Sequence, residues 1–393
     1  MKYDVVVVGG GPAGSVTARF AAEGGAKVLV IERRKEIGVP VLCGEGISKK
    51  IDSWGMLDSR NWISREMDGA RIYSPNKTMV KLSAEKAGNE TGYVIHRDLF
   101  DQELARKAMR AGAEYMMNTK AVGLIKEDGR IKGVKAMHFN EKLEIEADIV
   151  VGADGVESNV GKWAGIDTTL KPKDIESCLQ YTLANVDCED PFTDFFLGKK
   201  IAPGGYIWVF PKGKDVANVG IGVLGSLSRP GLAKKLLDDF IKSDPRLRKG
   251  QPLRVLAGAV PVSLPIKTVK DNLILVGDAA RQVDPLTGGG LTHCLEVGKI
   301  AGEVVAEAVN EQNFSEEFLM KYERMWKERI GKKLERNYKV KELMLDLDDK
   351  TLDKFADSLK DYNFDEFSTK GLIKALVKKH PSLFVKLIPL VKG

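Results

Sequence analysis

At 393 residues, the chain is long for one domain, so two consecutive or interleaved domains are expected. Its 43% hydrophobic and 30% charged residues are ordinary for a soluble globular enzyme. The net charge of +6 is spread over 61 basic and 55 acidic residues without a dense basic and aromatic platform, which argues against a nucleic-acid partner.

The few cysteines and histidines argue against a disulfide-stabilised protein and against a metalloprotein. The four cysteines form no CxxC pair and the chain has only four histidines, so we expect a reducing compartment, no disulfide framework and no metal site. The apolar N-terminus enters a glycine turn rather than a cleavage site, and no run approaches the length of a transmembrane helix. We expect a cytoplasmic protein, either soluble or peripheral at the inner face of the cell membrane.

The first fifty residues follow a strand–turn–helix–strand pattern. Tyr3 to Val8 is predicted to form a buried parallel strand, Ser15 to Glu23 a helix, and Val28 to Ile31 a second strand. The glycine-rich turn Gly9-Gly10-Gly11-Pro12-Ala13-Gly14 lies between the first strand and the helix. This order is typical of a dinucleotide-binding unit.

Each glycine of this turn has a physical task. Gly9 permits the tight turn, Gly11 lets the backbone approach a pyrophosphate, and Gly14 lets the helix pack closely on the sheet. The pyrophosphate is expected at the helix N-terminus, where free N–H groups and the helix dipole favour an anion. Glu32, at the end of the second strand, is placed to accept hydrogen bonds from a ribose.

The middle of the chain loses this α/β character. Short antiparallel strands are predicted between Gly69 and Leu82, and a helix over Leu99 to Ala111. A β-meander is predicted from Ala121–Ile125, Arg130–Met137 and Lys142–Ala147.

Two later segments return to the parallel-strand pattern. Asp148 to Val151 runs into Gly152-Ala153-Asp154-Gly155, and Leu273 to Val276 runs into Gly277-Asp278-Ala279-Ala280, followed by a helix from about Gly289 to Asn310. Strand-rich sequence with one helix, Gly231 to Ser243, lies between them. Because strand patterns leave one sheet and return to it, the domains are expected to be interleaved.

Three separated stretches carry a family resemblance. They are Gly9 to Gly14 with Glu32, Gly152 to Gly155 with Ser158, and Gly277 to Ala280 with Pro285 and Gly288-Gly289-Gly290. Together they resemble the FAD-dependent oxidoreductases related to p-hydroxybenzoate hydroxylase. The resemblance implies a mixed α/β fold, with a Rossmann-like FAD-binding domain interleaved with an antiparallel-sheet substrate domain and followed by a C-terminal helical region. The expected boundaries are 1–53, 94–165 and 266–310 for the FAD-binding domain, 54–93 and 166–265 for the substrate domain, and 311–393 for the helical region.

The same resemblance implies how FAD is bound. Asp278 would accept hydrogen bonds from the ribityl chain, and the turn at Gly288 to Leu291 would open a helix facing flavin N1 and O2. Arg97 would contact the cofactor, Ala121 would hold the adenine, and Asp154 would lie between two cofactor-facing segments. The implied cofactor-binding residues are Gly9, Gly11, Ala13, Gly14, Glu32, Arg33, Cys43, Gly44, Gly46, Arg97, Ala121, Asp154, Asp278, Gly289, Gly290 and Leu291.

A narrower resemblance is carried by two further segments. Pro203 to Pro211 looks like the PxxYxWxFP segment of the geranylgeranyl reductase group, and Cys43-Gly44-Glu45-Gly46 resembles its cysteine-containing flavin loop. Within this group the sequence is most similar to the archaeal digeranylgeranylglycerophospholipid reductases. Arg281 departs from the hydroxylases, which often carry histidine after Gly-Asp-Ala.

The implied activity is FAD-dependent hydrogenation of C=C bonds in geranylgeranyl chains of archaeal-type glycerophospholipid precursors, in membrane ether-lipid biosynthesis. Tyr206, Trp208 and Phe210 alternate along one strand, so all three are expected on one face, where they would wall an apolar slot. Tyr206, Trp208 and Cys43 are the candidate catalytic residues. Tyr206 and Cys43 are the candidate proton sources, and we favour a steric role for Cys43.

Two alternatives stay open at the level of sequence. One is an FAD-dependent aromatic or polyprenyl monooxygenase, and the other is a non-catalytic prenyl-group escort protein. With one dinucleotide fingerprint, the reductase needs an external electron donor, either NAD(P)H or a small redox protein such as ferredoxin. A monomer is compatible with the sequence. The segment Lys378 to Lys392 is expected either to dock on the fold or to lie at a membrane surface.

Overall fold

In the computed structural model, the chain folds into two units that each draw on three segments of the sequence. Unit 1 comprises Met1–Val41, Arg97–Leu170 and Pro261–Glu335, and unit 2 comprises Leu42–His96, Lys171–Val260 and the chain from Arg336 onward. The structure describes residues 1–55, 57–83, 92–361, 371, 374–375 and 378–379. Most of the predicted C-terminal segment, residues 380–392, therefore lies outside the described residues.

Strands outnumber helices along the described part of the chain. The strands are β1 (Lys2–Val8), β2 (Val28–Ile31), β3 (Gly46–Ser48), β4 (Ile63–Glu66), β5 (Gly69–Tyr73), β6 (Met79–Ser83), β7 (Gly92–Ile95), β8 (Glu114–Met116), β9 (Thr119–Glu127), β10 (Arg130–His138), β11 (Glu141–Gly152), β12 (Ile175–Ala184), β13 (Phe192–Leu197), β14 (Tyr206–Pro211), β15 (Val216–Leu224), β16 (Gln251–Pro261), β17 (Val269–Lys270) and β18 (Leu273–Leu275). The helices are α1 (Pro12–Glu23), α2 (Arg97–Arg110), α3 (Asn159–Trp163), α4 (Leu232–Ser243), α5 (Leu291–Asn310), α6 (Glu316–Trp326), α7 (Lys332–Asp346) and α8 (Asp349–Leu359).

Unit 1 is built on a largely parallel sheet with the order β17-β18-β11-β1-β2-β8. β1 pairs in parallel with both β2 and β11, and β11 pairs in parallel with β18. Val5, Val6 and Val7 have no exposed surface, because both faces of this part of the sheet are covered. The predicted strand–turn–helix–strand unit and the mixed α/β class are confirmed.

The predicted meander and the strand after it are joined in the structure. β11 is one strand of 12 residues, whereas the sequence predicted separate strands at Lys142–Ala147 and Asp148–Val151. Its first half pairs antiparallel with β10 and its second half pairs in parallel with β1. The hydrophobic pattern changes between these halves because the partner and the burial change, so it resembled a break in the strand.

α1 and α5 pack against each other at glycine positions of unit 1. A Cβ atom at Gly298 would lie 2.9 Å from the Ala13 carbonyl oxygen, and one at Gly302 would lie 2.6 Å from Thr17 O and from Phe20 Cβ. The contacts advance in the same direction along both helices, so the helices run parallel. Both N-termini therefore face the same edge of the sheet.

Unit 2 is built on two antiparallel-rich sheets. The larger has the order β16-β12-β15-β14-β13-β5-β6, with β5 and β13 paired in parallel, and the smaller has the order β3-β7-β4. On one face of the larger sheet, Ile207 and Val209 of β14 join a buried core with Leu237 of α4. The alternate residues of β14 therefore lie on the opposite face.

The observed units and the predicted domains divide the chain at different residues. Unit 2 takes up the chain at Leu42 rather than at residue 54, because β3 pairs with β7 in the smaller sheet. The assignment of the domains to cofactor and substrate stays a prediction.

The α1–α5 contact predicts a strong effect of a single methyl group. Gly302→Ala should lower the free energy of unfolding by about 1–3 kcal/mol, because the new Cβ meets backbone and Cβ atoms that cannot rotate away. Gly331→Ala is the matched control, since its Cβ would lie 3.4 Å from Lys327 Cβ, an ordinary contact. Equal denaturant midpoints for the two variants would contradict this account of the packing.

Candidate functional site

The glycine turn after β1 is held in a conformation that excludes side chains at two positions. Gly9 has a φ of +110°, and a Cβ there would lie 2.3 Å from the Ala153 carbonyl oxygen. A Cβ at Gly14 would lie 2.0 Å from the Gly9 carbonyl oxygen. Gly11 differs, because no atom of the described chain lies within 4 Å of where its Cβ would be. The turn thus packs tightly on the protein at Gly9 and Gly14 and leaves open space at Gly11.

The first turn of α1 carries backbone donors toward that space. Gly11 is the N-cap residue and, as a glycine, has no side chain that could cap the helix. Pro12 occupies the first helical turn. The N–H groups of Ala13 and Gly14 belong to the first turn, which has no intrahelical acceptors. This arrangement suits an anion such as a pyrophosphate.

Glu32 lies beside the glycine turn and is oriented by backbone donors. Its Oε2 accepts a hydrogen bond from Gly10 N at 2.8 Å, and its Oε1 accepts one from Arg34 N at 2.9 Å. The carboxylate retains lone pairs on both oxygens for a ribose. Arg33 pairs instead with Glu157 at 3.1 Å on the surface, and Ala121 is half-buried in β9 opposite Ala136.

The three turns singled out in the sequence meet in unit 1. Ala153 N donates to Val8 O at 2.9 Å, which joins the second turn to the first. Ser158 Oγ donates to Ala279 O at 2.7 Å, which joins the second turn to the third. Residues more than 250 positions apart in the sequence therefore form one edge of the sheet.

Asp154 has one satisfied and one unsatisfied carboxylate oxygen. Oδ2 accepts a hydrogen bond from Val160 N at 3.0 Å, whereas Oδ1 is buried without a partner among the described residues. Burial raises the pKa of Asp154, and the hydrogen bond that it accepts from Val160 N opposes that rise. A buried oxygen without a donor is costly, and a bound ligand would offset that cost.

Asp278 lies at the start of the third turn, near the first residues of α5. A Cβ at Gly290 would lie 3.4 Å from Asp278 Oδ1, and the Asp278 carboxylate accepts no hydrogen bond within the described chain. Burial raises the pKa of Asp278, and the positive charge of Arg97 opposes that rise. Arg97 is itself held by Asp101, with Nε–Oδ1 and Nη2–Oδ2 distances of 2.8 and 2.9 Å.

These features together fit FAD. Four features of this edge suit the cofactor. They are the uncapped start of α1 with its open space, the Glu32 carboxylate for a ribose, the unpartnered oxygen of Asp154 and the unbonded carboxylate of Asp278. Gly289 and Gly290 precede Leu291 at the start of α5, whose N-terminus also lacks a side-chain cap within the described chain. The roles of the individual residues in holding the cofactor stay predictions.

Unit 2 carries the aromatic face that the alternation predicted. The ring centroids of Tyr206 and Trp208 are 5.9 Å apart, and those of Trp208 and Phe210 are 6.3 Å apart. Phe195 of β13 contacts both Tyr206 and Phe210, at 5.6 and 5.5 Å. These four residues, Tyr206, Trp208, Phe210 and Phe195, form what we call the aromatic face. That Tyr206, Trp208 and Phe210 share one face is confirmed.

The loop Cys43 to Gly46 packs on this aromatic face within unit 2. A Cβ at Gly46 would lie 3.1 Å from Phe210 Cε2, and one at Gly44 would lie 3.3 Å from the same atom. Gln180 bridges the loop and the face, since it accepts from Trp208 Nε1 at 2.7 Å and donates to Cys43 O at 3.2 Å. The glycines of the loop are therefore needed for its close approach to the rings.

A buried network of an ion pair and hydrogen bonds also holds the Cys43–Gly46 loop in place. Lys212 Nζ lies 2.6 Å from Glu45 Oε2, and Asn218 Nδ2 donates to the same oxygen at 2.7 Å and to Gly44 O at 3.2 Å. Glu45 is only 2% exposed, so water has almost no access to this ion pair. Removing one partner of such a pair would leave an uncompensated buried charge, which typically costs about 3–5 kcal/mol.

Sequence reasoning missed the glycines that make room for the aromatic face. A Cβ at Gly220 would lie 2.2 Å from Trp208 Cζ2, so the indole lies flat on the β15 backbone. Gly222 occupies the next position on the same face of β15. Two glycines at a spacing of two inside a predicted strand indicate close approach of another group, and this signal was present in the sequence.

Comparisons with known proteins assign the family. The chain matches the geranylgeranyl reductase catalytic domain over residues 174–260 and an FAD binding domain over residues 2–214. A digeranylgeranylglycerophospholipid reductase from Methanothrix thermoacetophila is 47% identical, with all of both chains covered. One from Methanosarcina acetivorans is 45% identical over 99% of this chain and 96% of that protein. The chain belongs to the geranylgeranyl reductase family.

A solved structure of this family supports the same assignment. The crystal structure of a geranylgeranyl bacteriochlorophyll reductase-like protein from Thermoplasma acidophilum is 45% identical, covers 99% of both chains and gives a TM-score of 0.94. As a member of the geranylgeranyl reductase family, the protein is an FAD-dependent oxidoreductase, which confirms the predicted enzyme class and cofactor.

Two kinds of feature are absent from the described residues. In that part of the chain, no helix combines the length and apolar character needed to cross a bilayer. Nor do its His, Cys, Asp and Glu side chains cluster in groups of three or more that could hold a metal ion.

The two kinds of glycine in the first turn predict separable effects. Gly11→Ala should leave the free energy of unfolding of the apoprotein within about 0.5 kcal/mol, because its Cβ meets no described atom. The same methyl group should weaken FAD binding at least about tenfold, since it occupies the space in which the pyrophosphate approaches the backbone. Fluorescence titration of apoprotein with FAD and denaturant unfolding measure both effects.

Gly14→Ala is the contrasting variant. Its Cβ would lie 2.0 Å from the Gly9 carbonyl oxygen, so it should destabilise the apoprotein itself. If Gly11→Ala instead lowered apoprotein stability as much as Gly14→Ala, the space at Gly11 would have a structural purpose rather than a ligand-binding one.

Proposed function

We propose that this protein hydrogenates the C=C bonds of geranylgeranyl chains on archaeal-type glycerophospholipid precursors, as part of membrane ether-lipid biosynthesis. Relatives that share 43–47% of its sequence over nearly their whole length are named for this reaction. The observation that carries the proposal is the aromatic face of unit 2, an apolar surface bordered by the Cys43–Gly46 loop. A long hydrocarbon chain is the kind of substrate that such a surface suits.

Unit 1 would hold the cofactor along the edge formed by the three turns. Bound FAD, once reduced, supplies a hydride. The N-terminus of α1 would bind the pyrophosphate, Glu32 a ribose, and Asp278 the ribityl chain. The uncapped start of α5 would stabilise negative charge on the flavin ring through its N–H groups and dipole.

The aromatic face would act on the substrate by excluding water and by stabilising positive charge. Protonating a trisubstituted alkene generates tertiary carbocation character, and water that reached it would capture it. Ring faces close to the cation would each stabilise it by about 1–2 kcal/mol. Trp208 suits this role because Gln180 and Gly220 fix its orientation.

Cys43 would act on the substrate through its bulk. The loop that carries it is anchored by Gln180, Asn218 and the Glu45–Lys212 ion pair, so the position of the side chain is well defined. Cys43 Sγ accepts a hydrogen bond from Glu45 N at 3.2 Å, which further fixes its direction. A fixed side chain beside an apolar surface limits how far a hydrocarbon chain enters.

The reaction needs a lipid substrate and a reductant. We propose an external reductant, either NAD(P)H or a small redox protein such as ferredoxin, because the chain carries one dinucleotide-type glycine turn. We further propose that the protein meets its lipid substrate at the surface of the membrane, without spanning it.

Mass spectrometry of the product tests the proposed reaction. With dithionite as reductant under anaerobic conditions, a digeranylgeranylglycerophospholipid should gain mass in steps of two hydrogen atoms, with no oxygen incorporated. Aerobic reactions in labelled O2 are the control for a monooxygenase. Labelled oxygen in the lipid, with no gain of hydrogen, would contradict the proposed reductase activity and indicate a hydroxylase.

The steric role of Cys43 predicts a change of product pattern. Cys43→Ala should retain FAD and the overall rate within about threefold, a difference of less than about 1 kcal/mol in barrier height. It should redistribute hydrogen among the double bonds, because the chain enters to a different depth. Cys188→Ala, a buried cysteine in the core behind the larger sheet, is the control. Loss of all activity with the flavin still bound would point to a chemical role of the thiol.

A further inference from the structure

One carboxyl group of unit 2 lies on the sheet face that carries the aromatic residues but takes no part in the network around Glu45. In β12, Glu176, Cys178 and Gln180 alternate on one face, and Cys178 and Gln180 pair with Gly222 and Gly220 of β15. Gln180 bonds Trp208 of the aromatic face, which fixes that face as the shared one. Glu176 therefore lies on it as well, two residues before Cys178.

Two glycines make room for the Glu176 carboxyl group. A Cβ at Gly222 would lie 2.4 Å from Glu176 Oε2, and one at Gly205 would lie 3.4 Å from Glu176 Oε1. Gly205 directly precedes Tyr206, the first residue of the aromatic face. The carboxyl group thus lies over the sheet at the Tyr206 end of that face, in space that a larger residue at position 222 would fill.

This carboxyl group is buried without a compensating contact. Glu176 is 7% exposed, and its side chain makes neither a hydrogen bond nor an ion pair with any described residue. Glu45, on the same unit, shows the usual solution, since Lys212 and Asn218 neutralise and bond it. A buried acid with no donor around it is better accommodated in its neutral, protonated form.

The charged and titratable groups around Glu176 set its protonation. Burial raises the pKa of Glu176 to about 7, and the ammonium of Lys341 in α7 opposes that rise. Lys341 is shared with Glu342 and Asp174, which also attract it. Burial and the charge of Glu176 raise the pKa of the Cys178 thiol far above its ordinary range, so the thiol holds its proton.

We propose that Glu176 is the acid that protonates the alkene, a role that rests on the proposed reductase function. The carboxyl group lies on the aromatic face and holds its proton because no hydrogen bond or ion pair stabilises its charge. It is a far stronger acid than a tyrosine with an ordinary pKa near 10. This assignment replaces Tyr206 and Cys43 as candidate proton sources, and leaves Tyr206 as part of the apolar wall.

The step balances without a further reagent. The proton leaves the Glu176 carboxyl group and forms a C–H bond at the less substituted carbon, while the π bond breaks and positive charge develops at the other carbon. The reduced FAD that unit 1 would hold would supply the hydride for the second C–H bond. The alkene gains two electrons and two hydrogens, and the Glu176 carboxylate regains a proton from water between turnovers.

Single-turnover kinetics of Glu176→Gln test the proposal on the FAD-loaded enzyme. Glutamine keeps the size and lacks the acidic proton, so oxidation of dithionite-reduced enzyme by the lipid should slow at least about 100-fold. Flavin content and the rate of reduction by dithionite should be unchanged. Glu103→Gln, a buried glutamate of α2 in unit 1, is the matched control and should retain the wild-type rate.

The pH dependence gives a second readout. The wild-type rate should fall as the pH rises through about 7, because the protonated acid is the reactive form, and Glu176→Gln should lose this transition. The folded-state pKa is raised above that of the unfolded chain, so wild-type stability should fall as the pH rises through the same range. The thermal midpoint of Glu176→Gln should therefore rise relative to that of the wild type between about pH 5 and pH 7 and level off above that range.

The outcomes separate the two levels of the proposal. If the wild type reduces no lipid, the proposed function fails. If the wild type and Glu176→Gln oxidise at similar rates, the function stands and the assignment of Glu176 is wrong. If Tyr206→Phe loses the pH transition while Glu176→Gln keeps it, tyrosine is the acid and Glu176 is a structural residue.

Discussion

The close approach of α1 and α5 is the constraint on which the cofactor edge depends. Gly298 and Gly302 let α5 lie against the backbone of α1, and the parallel arrangement directs both helix starts to the same edge of the sheet. Gly298, which contacts Ala13, lies two turns into α5, about 10 Å from the first residue of that helix. The two uncapped helix starts are thus offset along the helix axes, and an extended cofactor with negative charge at two places suits such an offset.

The two buried glutamates of unit 2 show how one fold uses a carboxyl group in opposite ways. Glu45 is paired with Lys212 and bonded by Asn218, so its charge is kept and anchors a loop. Glu176 faces glycines and Cys178, so burial works against its charge and favours a held proton. The distinction arises from the neighbours that strand pairing supplies, because both residues are almost fully buried.

The parts of the structure that could be predicted are those marked by a pattern within a few neighbouring residues. The glycine turn, the following helix and the alternation at Tyr206, Trp208 and Phe210 are each defined within a few residues, and the structure has them. The continuous β11 was missed because its hydrophobic pattern follows two different partners. The Glu45 network and the place of Glu176 depend on contacts between residues that are 48 to 173 positions apart in the chain, which no local pattern encodes.

An unactivated alkene has no hydrogen-bonding group at its reacting carbons. Hydrogen bonds therefore cannot orient it, and the surface must select a position by shape alone. The flat indole of Trp208 on Gly220, the rings around it and the anchored Cys43 loop provide such a rigid surface. Rigidity comes from polar groups on the same sheet face, since Gln180 bonds the indole N–H and the Cys43 carbonyl, and Asn218 bonds the Gly44 carbonyl. An apolar face that is fixed by buried polar contacts at its margin can exclude water and still accommodate one acid at its edge.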